Sequence, residues 1–350
     1  MLFMKSREII GIDIGSSSVK LVQLDEQKGA YQLKNAGILP LPSEAIVDNS
    51  LMDTTSIVET IKSLVKSLDI KAKDAVCSIS GNSVIIRKIS LPAMTPEELE
   101  DQIAWEAEQY IPFDINDVNL DFEILDTDLA ASGKMTVLLV ASKKEIINEY
   151  AAVFNEAGLK LVVVDVDSFA IQNIYEQNYD TAPGDVVALI NIGASIMNLN
   201  VVKDGISLFT RDVQMGGNLY TEEIQRQFSL SGQEAERIKV TLDYHDQERL
   251  KETIARTNET VSIEINRSLD FYNSSAEDQR ITKVYLSGGC SKVAMLAEAV
   301  SQRLGLQVEL LNPLQKITYN EKHFDPEYLQ EIGPLVAVAA GLAMRRLGDK

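Results

Sequence analysis

The strongest constraint on this chain is a strand-turn-strand segment that occurs twice. The first copy runs Ile9-Ile10-Gly11-Ile12-Asp13-Ile14-Gly15-Ser16-Ser17-Ser18-Val19-Lys20-Leu21-Val22. The second runs Val187-Ala188-Leu189-Ile190-Asn191-Ile192-Gly193-Ala194-Ser195-Ile196-Met197-Asn198-Leu199. Each is an apolar run, an Asx, an apolar residue, a glycine, a small residue and an apolar alternation. Asp13 therefore aligns with Asn191, and Gly15 with Gly193. Lys203-Asp204-Gly205 is a turn signal that carries the second copy into another strand. Such a repeat predicts two halves of like fold with a ligand held between them.

The turn chemistry points to the ligand. Gly15 lets backbone N–H groups approach an anion, and the hydroxyls of Ser16, Ser17 and Ser18 with the ammonium of Lys20 suit a polyphosphate. Asp13 stands where a carboxylate can hold a hydrated magnesium ion. Gly193, Ala194 and Ser195 form the corresponding second turn. A third motif, Val284-Tyr285-Leu286-Ser287-Gly288-Gly289-Cys290-Ser291, breaks from an apolar run into two glycines. Val293, Leu296, Ala297, Val300 and Leu304 then recur on one helical face, with Gly305 as the stop. Strand, Gly-Gly and helix let a flat group lie on backbone while the helix N-terminus faces phosphate.

In this order the motifs Asp-x-Gly, Asx-x-Gly and Leu-x-Gly-Gly resemble the nucleotide-binding signature of the actin, Hsp70 and sugar-kinase superfamily. A narrower resemblance lies in Leu91-Pro92-Ala93-Met94-Thr95-Pro96-Glu97-Glu98-Leu99 and Glu106-Ala107-Glu108-Gln109-Tyr110-Ile111-Pro112-Phe113. These stretches look like the type IV pilus assembly family PilM, itself similar to the cell-division protein FtsA. The likeness covers the chain from Ile9 to about Leu347. It implies an α/β fold of duplicated actin-like (ribonuclease H-like) nucleotide-binding domains with an inserted α+β subdomain, and ATP with Mg2+ as cofactors.

The resemblance also implies roles. Lys20, seven residues after the first aspartate, matches a phosphate-contacting lysine. Asp167 matches a carboxylate that orients the attacking water; as a plain helix N-cap it would need no such role. Gly216 and Gly217 open a helix, and Ala235-Glu236-Arg237-Ile238-Lys239 resembles a stretch that brings Glu236 and Lys239 to ribose and adenine; a solvated ion pair is the alternative. Gly288, Gly289 and Cys290 complete the nucleotide contacts, with Asp13, Asp167 and Asn191 as catalytic positions. The family pattern usually carries aspartate at Asn191 and hydroxyls at Ile196 and Met197. An amide adds no negative charge and is no base. Firm Mg-ATP binding with slow or absent hydrolysis is therefore expected.

The partner implied by the resemblance is the short cytoplasmic N-terminal tail of a PilN-like bitopic membrane protein, docked between the first actin-like subdomain and the insertion. Other inner-membrane pilus components join it, and self-association stays open. A net charge of −19 argues against nucleic acid. Twelve acidic residues and no Lys or Arg lie between Glu97 and Asp128, either a solvated face or a landing site for a basic segment. No apolar run approaches a membrane span, and no signal peptide or terminal amphipathic anchor is visible. Cys77 and Cys290 are too far apart for a disulfide framework. A cytoplasmic protein held at the inner membrane through its partner is expected. An FtsA-like filament former and a small-molecule kinase on the same core are the competing readings.

The resemblance implies the organisation. Residues 1–82 begin the first actin-like domain, 83–164 form the insertion, 165–185 complete the first domain and connect, and 186–350 form the second, with 216–282 its helical base-binding part. In the insertion, Thr95, Pro96 and Glu98 spell a capping box. Leu99, Ile103, Ala107 and Tyr110 make that helix's apolar stripe, and Pro112 ends it. Trp105 falls off the stripe, and either packs on the neighbouring domain or lines a partner groove. Ile332–Gly341 resembles the second interdomain connector, where small residues let helices pack closely.

Overall fold

Period-two apolar alternation broken by glycine and hydroxyl turns folds both repeated segments as hairpins. The structure, a computed structural model, describes residues 8–128, 133–276 and 279–348. β1 (Ile9–Ile14), β2 (Ser18–Gln27) and β3 (Ala30–Pro40) form an antiparallel meander. A short ladder of β4 (Ile46–Val47) and β5 (Ser50–Leu51) leads to α1 (Thr54–Ser67), which Asp53 caps by accepting from the Ser56 N–H. β6 (Asp74–Ile79) returns parallel to β1. The chain leaves this sheet for β7 (Ile85–Pro92), α2 (Pro96–Ala107), β8 (Val118–Asp128) and β9 (Lys134–Lys143). It comes back through α3 (Lys144–Glu156) to β10 (Lys160–Val166), parallel to β6, and closes the half with α4 (Asp167–Asn178).

The second half repeats the plan. β11 (Val186–Ile192), β12 (Met197–Lys203) and β13 (Ile206–Val213) form the meander. Three helices follow: α5 (Asn218–Phe228), α6 (Gly232–Thr241) and α7 (Gln247–Ser275). β14 (Lys283–Ser287) lies parallel to β11, α8 (Leu296–Leu304) crosses over, and β15 (Gln307–Leu310) lies parallel to β14. α9 (Pro326–Ile332) and α10 (Ala337–Leu342) end the described chain.

The two five-stranded sheets therefore share one order, β3-β2-β1-β6-β10 and β13-β12-β11-β14-β15. This equivalence corrects the expected insertion of residues 83–164. α3 and β10 correspond to α8 and β15, and β10 is hydrogen-bonded to β6. The separate sheet is only β7-β9-β8, so what is inserted runs from Ile85 to Lys143.

α10, from the second half, packs on β1 and β2 of the first sheet, while α4, from the first half, packs on β11 and β12. The approach is so close that only glycine fits at two points. A Cβ on Gly11 would stand 2.2 Å from the Ala339 carbonyl oxygen, and one on Gly341 would stand 1.8 Å from that of Ala170. One core, including Val22, Ala170, Ile174, Tyr175, Val336 and Ala340, spans both halves here. A second lies under α1 and α3, and a third under α5 to α8.

Three local expectations are corrected. α2 has the Thr95/Glu98 capping box but stops at Ala107, and Ile111, not Tyr110, completes its buried stripe. Trp105 is 65% exposed rather than packed into a neighbouring domain. After Gly288-Gly289 comes a single 3₁₀ turn, Gly289–Lys292, and the helix begins only at Leu296. Met295, the N-cap of that helix, has a positive φ of 64° that breaks the run between them.

Candidate functional site

The β1–β2 and β11–β12 turns face each other across a cleft of about 480 Å³ at the junction of the two halves. They are built alike. In one the Gly15 N–H donates to the Ser18 carbonyl at 3.1 Å; in the other the Gly193 N–H donates to the Ile196 carbonyl at 2.8 Å. A hydrogen bond from Ser195 Oγ to Ser16 Oγ joins the turns across the gap.

Antiparallel register sets what stands behind each turn. Asp13 is directly opposite Lys20, and Asn191 directly opposite Asn198. In the first hairpin this gives an ion pair of 3.1 Å, with the Lys20 ammonium held over Gly15. In the second it gives an amide pair, Asn191 Nδ2 donating to Asn198 Oδ1 at 3.1 Å. A relay continues from there. Asn198 Nδ2 donates to Asp212 Oδ1 at 2.8 Å, and the Gly81 N–H donates to Asp212 Oδ2 at 2.5 Å. Ser287 Oγ donates to Asn191 Oδ1 at 3.3 Å. The second turn has therefore lost both the carboxylate and the cation of the first, and every amide atom it gained in exchange is committed to protein.

Asp167 opens α4 at the floor of the cleft. Val166 is the N-cap and no side chain caps this helix, so the plain capping role is overturned. Asp167 Oδ1 instead accepts from Ser78 Oγ at 2.5 Å. Burial, and then the nearby Asp13 carboxylate, push its carboxyl up to about 7, against the pull of the Ser78 and Ser80 hydroxyls. A carboxyl that titrates near neutrality can accept a proton from water.

On the opposite wall, Lys239 is buried and all three of its donors are engaged: Gly217 O at 3.2 Å, Thr221 Oγ1 at 3.1 Å and Glu236 Oε2 at 2.6 Å. It pins α6 to the start of α5 and leaves half-exposed Glu236 facing the opening. Burial pushes the Cys290 thiol up to about 12, so it forms an uncharged wall. Gly288, with φ of 83°, lets β14 end against the second hairpin: a Cβ there would meet the Ile192 carbonyl oxygen at 2.4 Å.

A profile of the family described as type IV pilus assembly protein PilM matches residues 11–347. The chain belongs to the PilM family. A solved PilM-PilN type IV pilus biogenesis complex superposes with a TM-score of 0.87 at 31% identity, over 96% of this chain and 98% of that one. FtsA of Bacillus subtilis (strain 168) is 24% identical over 282 residues, 71% of this chain; the chain spans 62% of that relative's length. The ethanolamine utilization protein EutJ from Carboxydothermus hydrogenoformans (TM-score 0.62, 15% identity) covers 97% of this chain and is itself covered over 90%. MreB5 of Spiroplasma citri, solved bound to AMPPNP (TM-score 0.51, 11% identity), covers 96% and is covered over 95%. These two likenesses establish the actin-like fold and no more.

Of the residues that the PilM resemblance selects, the cleft wall holds Asp13, Gly15, Ser16, Ser17, Ser18, Lys20, Asp167, Asn191, Gly193, Ala194, Ser195, Gly217, Glu236, Lys239, Gly288, Gly289 and Cys290. Gly216 is not among them. It packs instead, since a Cβ there would stand 2.5 Å from the Gly193 carbonyl oxygen, and it lets Gly217 N–H and Asn218 N–H bond the second turn. Sequence reasoning missed Ser78, Ser80, Asn198 and Asp212. Asn198 carried a signal: it follows Asn191 by the same seven residues that separate Lys20 from Asp13. The residues present fit a polyphosphate, with glycine turns and the Lys20 ammonium on its path. Among the described residues no cluster of three or more His, Cys, Asp or Glu could cage a metal. Asp13, with Asp167 nearby, matches the one or two carboxylates with which magnesium is usually held beside phosphate.

Proposed function

We propose that this chain is an ATP-binding adaptor of the type IV pilus inner-membrane assembly complex. It binds Mg-ATP between its two turns, turns it over slowly or not at all, and docks the short cytoplasmic N-terminal tail of a PilN-like bitopic membrane protein. The observation that carries this reading is the asymmetry of two otherwise equivalent turns: Asp13 with Lys20 on one side, Asn191 with Asn198 on the other. In use, Gly15 and Ser16–Ser18 would offer N–H and hydroxyl donors to phosphate, Lys20 would neutralise charge, and Asp13 would hold magnesium through water. ATP with magnesium supplies the transferable phosphoryl group. Asp167 can hold a proton near neutrality, yet the second turn brings no carboxylate to help orient a metal, and phosphoryl transfer depends on such positioning.

The tail reading is supported by a groove of about 420 Å³ between β10 and the inserted sheet. Leu120, Val140, Ile147 and Leu161 to Val164 line it. β10 is the outermost strand of its sheet, an edge that suits an extended peptide. Among the described residues no helix is long and apolar enough to cross a membrane, so attachment through a bitopic partner fits.

The test is to incubate the purified chain with stoichiometric Mg-ATP and follow bound nucleotide by chromatography over hours. Retained ATP is expected, and its loss in Asp13→Ala. Vigorous steady-state turnover that Asp13→Ala abolishes would refute the slow-hydrolysis reading. Failure of a PilN-type tail peptide to bind would remove the adaptor reading.

A further inference from the structure

α2 covers one face of the β7-β9-β8 sheet. Its buried residues Leu99, Ile103 and Ala107 pack with Met135, Val137, Leu139 and Ala141 of β9. The alternate β9 residues Val140 and Ser142 line the groove. The outward side of α2 is thus on the far side of the insertion from the tail groove, and nothing among the described residues covers it.

That outward side is aromatic and acidic. Trp105, the chain's single tryptophan, is 65% exposed and takes part in no ring contact among the described residues. Helical spacing sets Asp101 one turn before it and Glu108 one turn after it, on the same face, and both are exposed. Tyr110 and Phe113, 38% and 39% exposed, follow beyond the helix end. An exposed tryptophan flanked by carboxylates is a costly arrangement for a surface that meets only water, because its ring is among the largest apolar areas a side chain offers. Cations answer both features at once: a guanidinium or ammonium stacks on the ring and pairs with the carboxylates. This neighbourhood already contains one such contact, Lys143 Nζ lying 4.7 Å from the centroid of the Phe113 ring.

We propose that the Asp101–Trp105–Glu108 face of α2 is a second docking surface, which takes a basic, arginine- or lysine-bearing segment of a protein partner. It does not rest on the nucleotide or tail readings, because neither cavity contains any of these residues. The face of α2 that carries it leaves the groove free, so both can be occupied at once.

The single tryptophan makes the test direct. The full chain is titrated with a nona-arginine peptide at physiological salt while Trp105 emission is followed, and affinity is measured independently by calorimetry. The expected result is saturable quenching of the emission, with affinity reduced about tenfold by Trp105→Ala and by the pair Asp101→Lys with Glu108→Lys. All three positions are exposed, so unfolding is not the cause of a loss; an unchanged circular dichroism melt verifies this. Because a chain of charge −19 attracts any polycation, binding alone proves nothing. Binding that leaves Trp105 emission unmoved, or that the variants do not weaken, overturns the proposal. So does emission that shifts with protein concentration alone, which would assign the face to a second copy of this chain.

Discussion

Replacing Asn191 by aspartate restores on paper the carboxylate that the second turn lacks, and the structure says that it will not restore it cheaply. Asn191 Nδ2 donates to Asn198 Oδ1, and the Asn198 amide cannot simply turn over, because its Nδ2 is committed to Asp212. In Asn191→Asp two acceptors would meet at 3.1 Å with no donor between them. Asn191 and Asn198 are both buried, so the loss is that of an unsatisfied buried group, about 1–3 kcal/mol, with further repulsion from Asp212 nearby. The assay is urea denaturation of Asn191→Asp, Asp212→Asn and the double variant. With Asp212→Asn present the relay can reverse: the Asn198 amide turns to donate to the new carboxylate and accepts from the new amide, whose oxygen still takes the Gly81 N–H. The double variant should therefore be more stable than the sum of the single losses allows, by about 1 kcal/mol or more. Simple additivity, or an Asn191→Asp variant as stable as the parent, would refute the relay.

Two further outcomes follow from the geometry. Asp167 is held up to about 7 in the folded chain, against an ordinary value of 3.8, so the folded state binds the extra proton between those values and stability falls as pH rises through that window. Asp167→Asn should flatten this slope, measured as urea midpoints at pH 5 and pH 7.5, and an unchanged slope would show that another group causes it. Gly341→Ala puts a methyl 1.8 Å from the Ala170 carbonyl oxygen, which is backbone and cannot swing aside. It should destabilise by about 3 kcal/mol or more, with insoluble expression as the extreme, whereas Gly232→Ala, whose Cβ would meet only the Gln225 side chain at 3.6 Å, should cost little.

The sequence alone determined whatever depends on neighbours along the chain. Both hairpins, the Thr95 capping box and the glycine break after Ser287 were legible because a turn or cap is set by a few adjacent residues. The repeat was legible too, and with it the facing of Asp13 and Gly15 toward Asn191 and Gly193, since equivalent segments fold alike. Tertiary structure decided what depends on pairing between distant segments. Nothing along the chain names the neighbour of β10, and only the ladder to β6 returned α3 and β10 to the first sheet. Leu99, Ile103 and Ala107 were legible as the buried stripe of α2, but whether Trp105 packs on a neighbouring domain depends on distant segments, and only the tertiary structure left it exposed. The commitment of Asn191 to Asn198 and Asp212 needed three strands in register. Local chemistry wrote the turns, and long-range pairing chose what each turn's side chains were free to do.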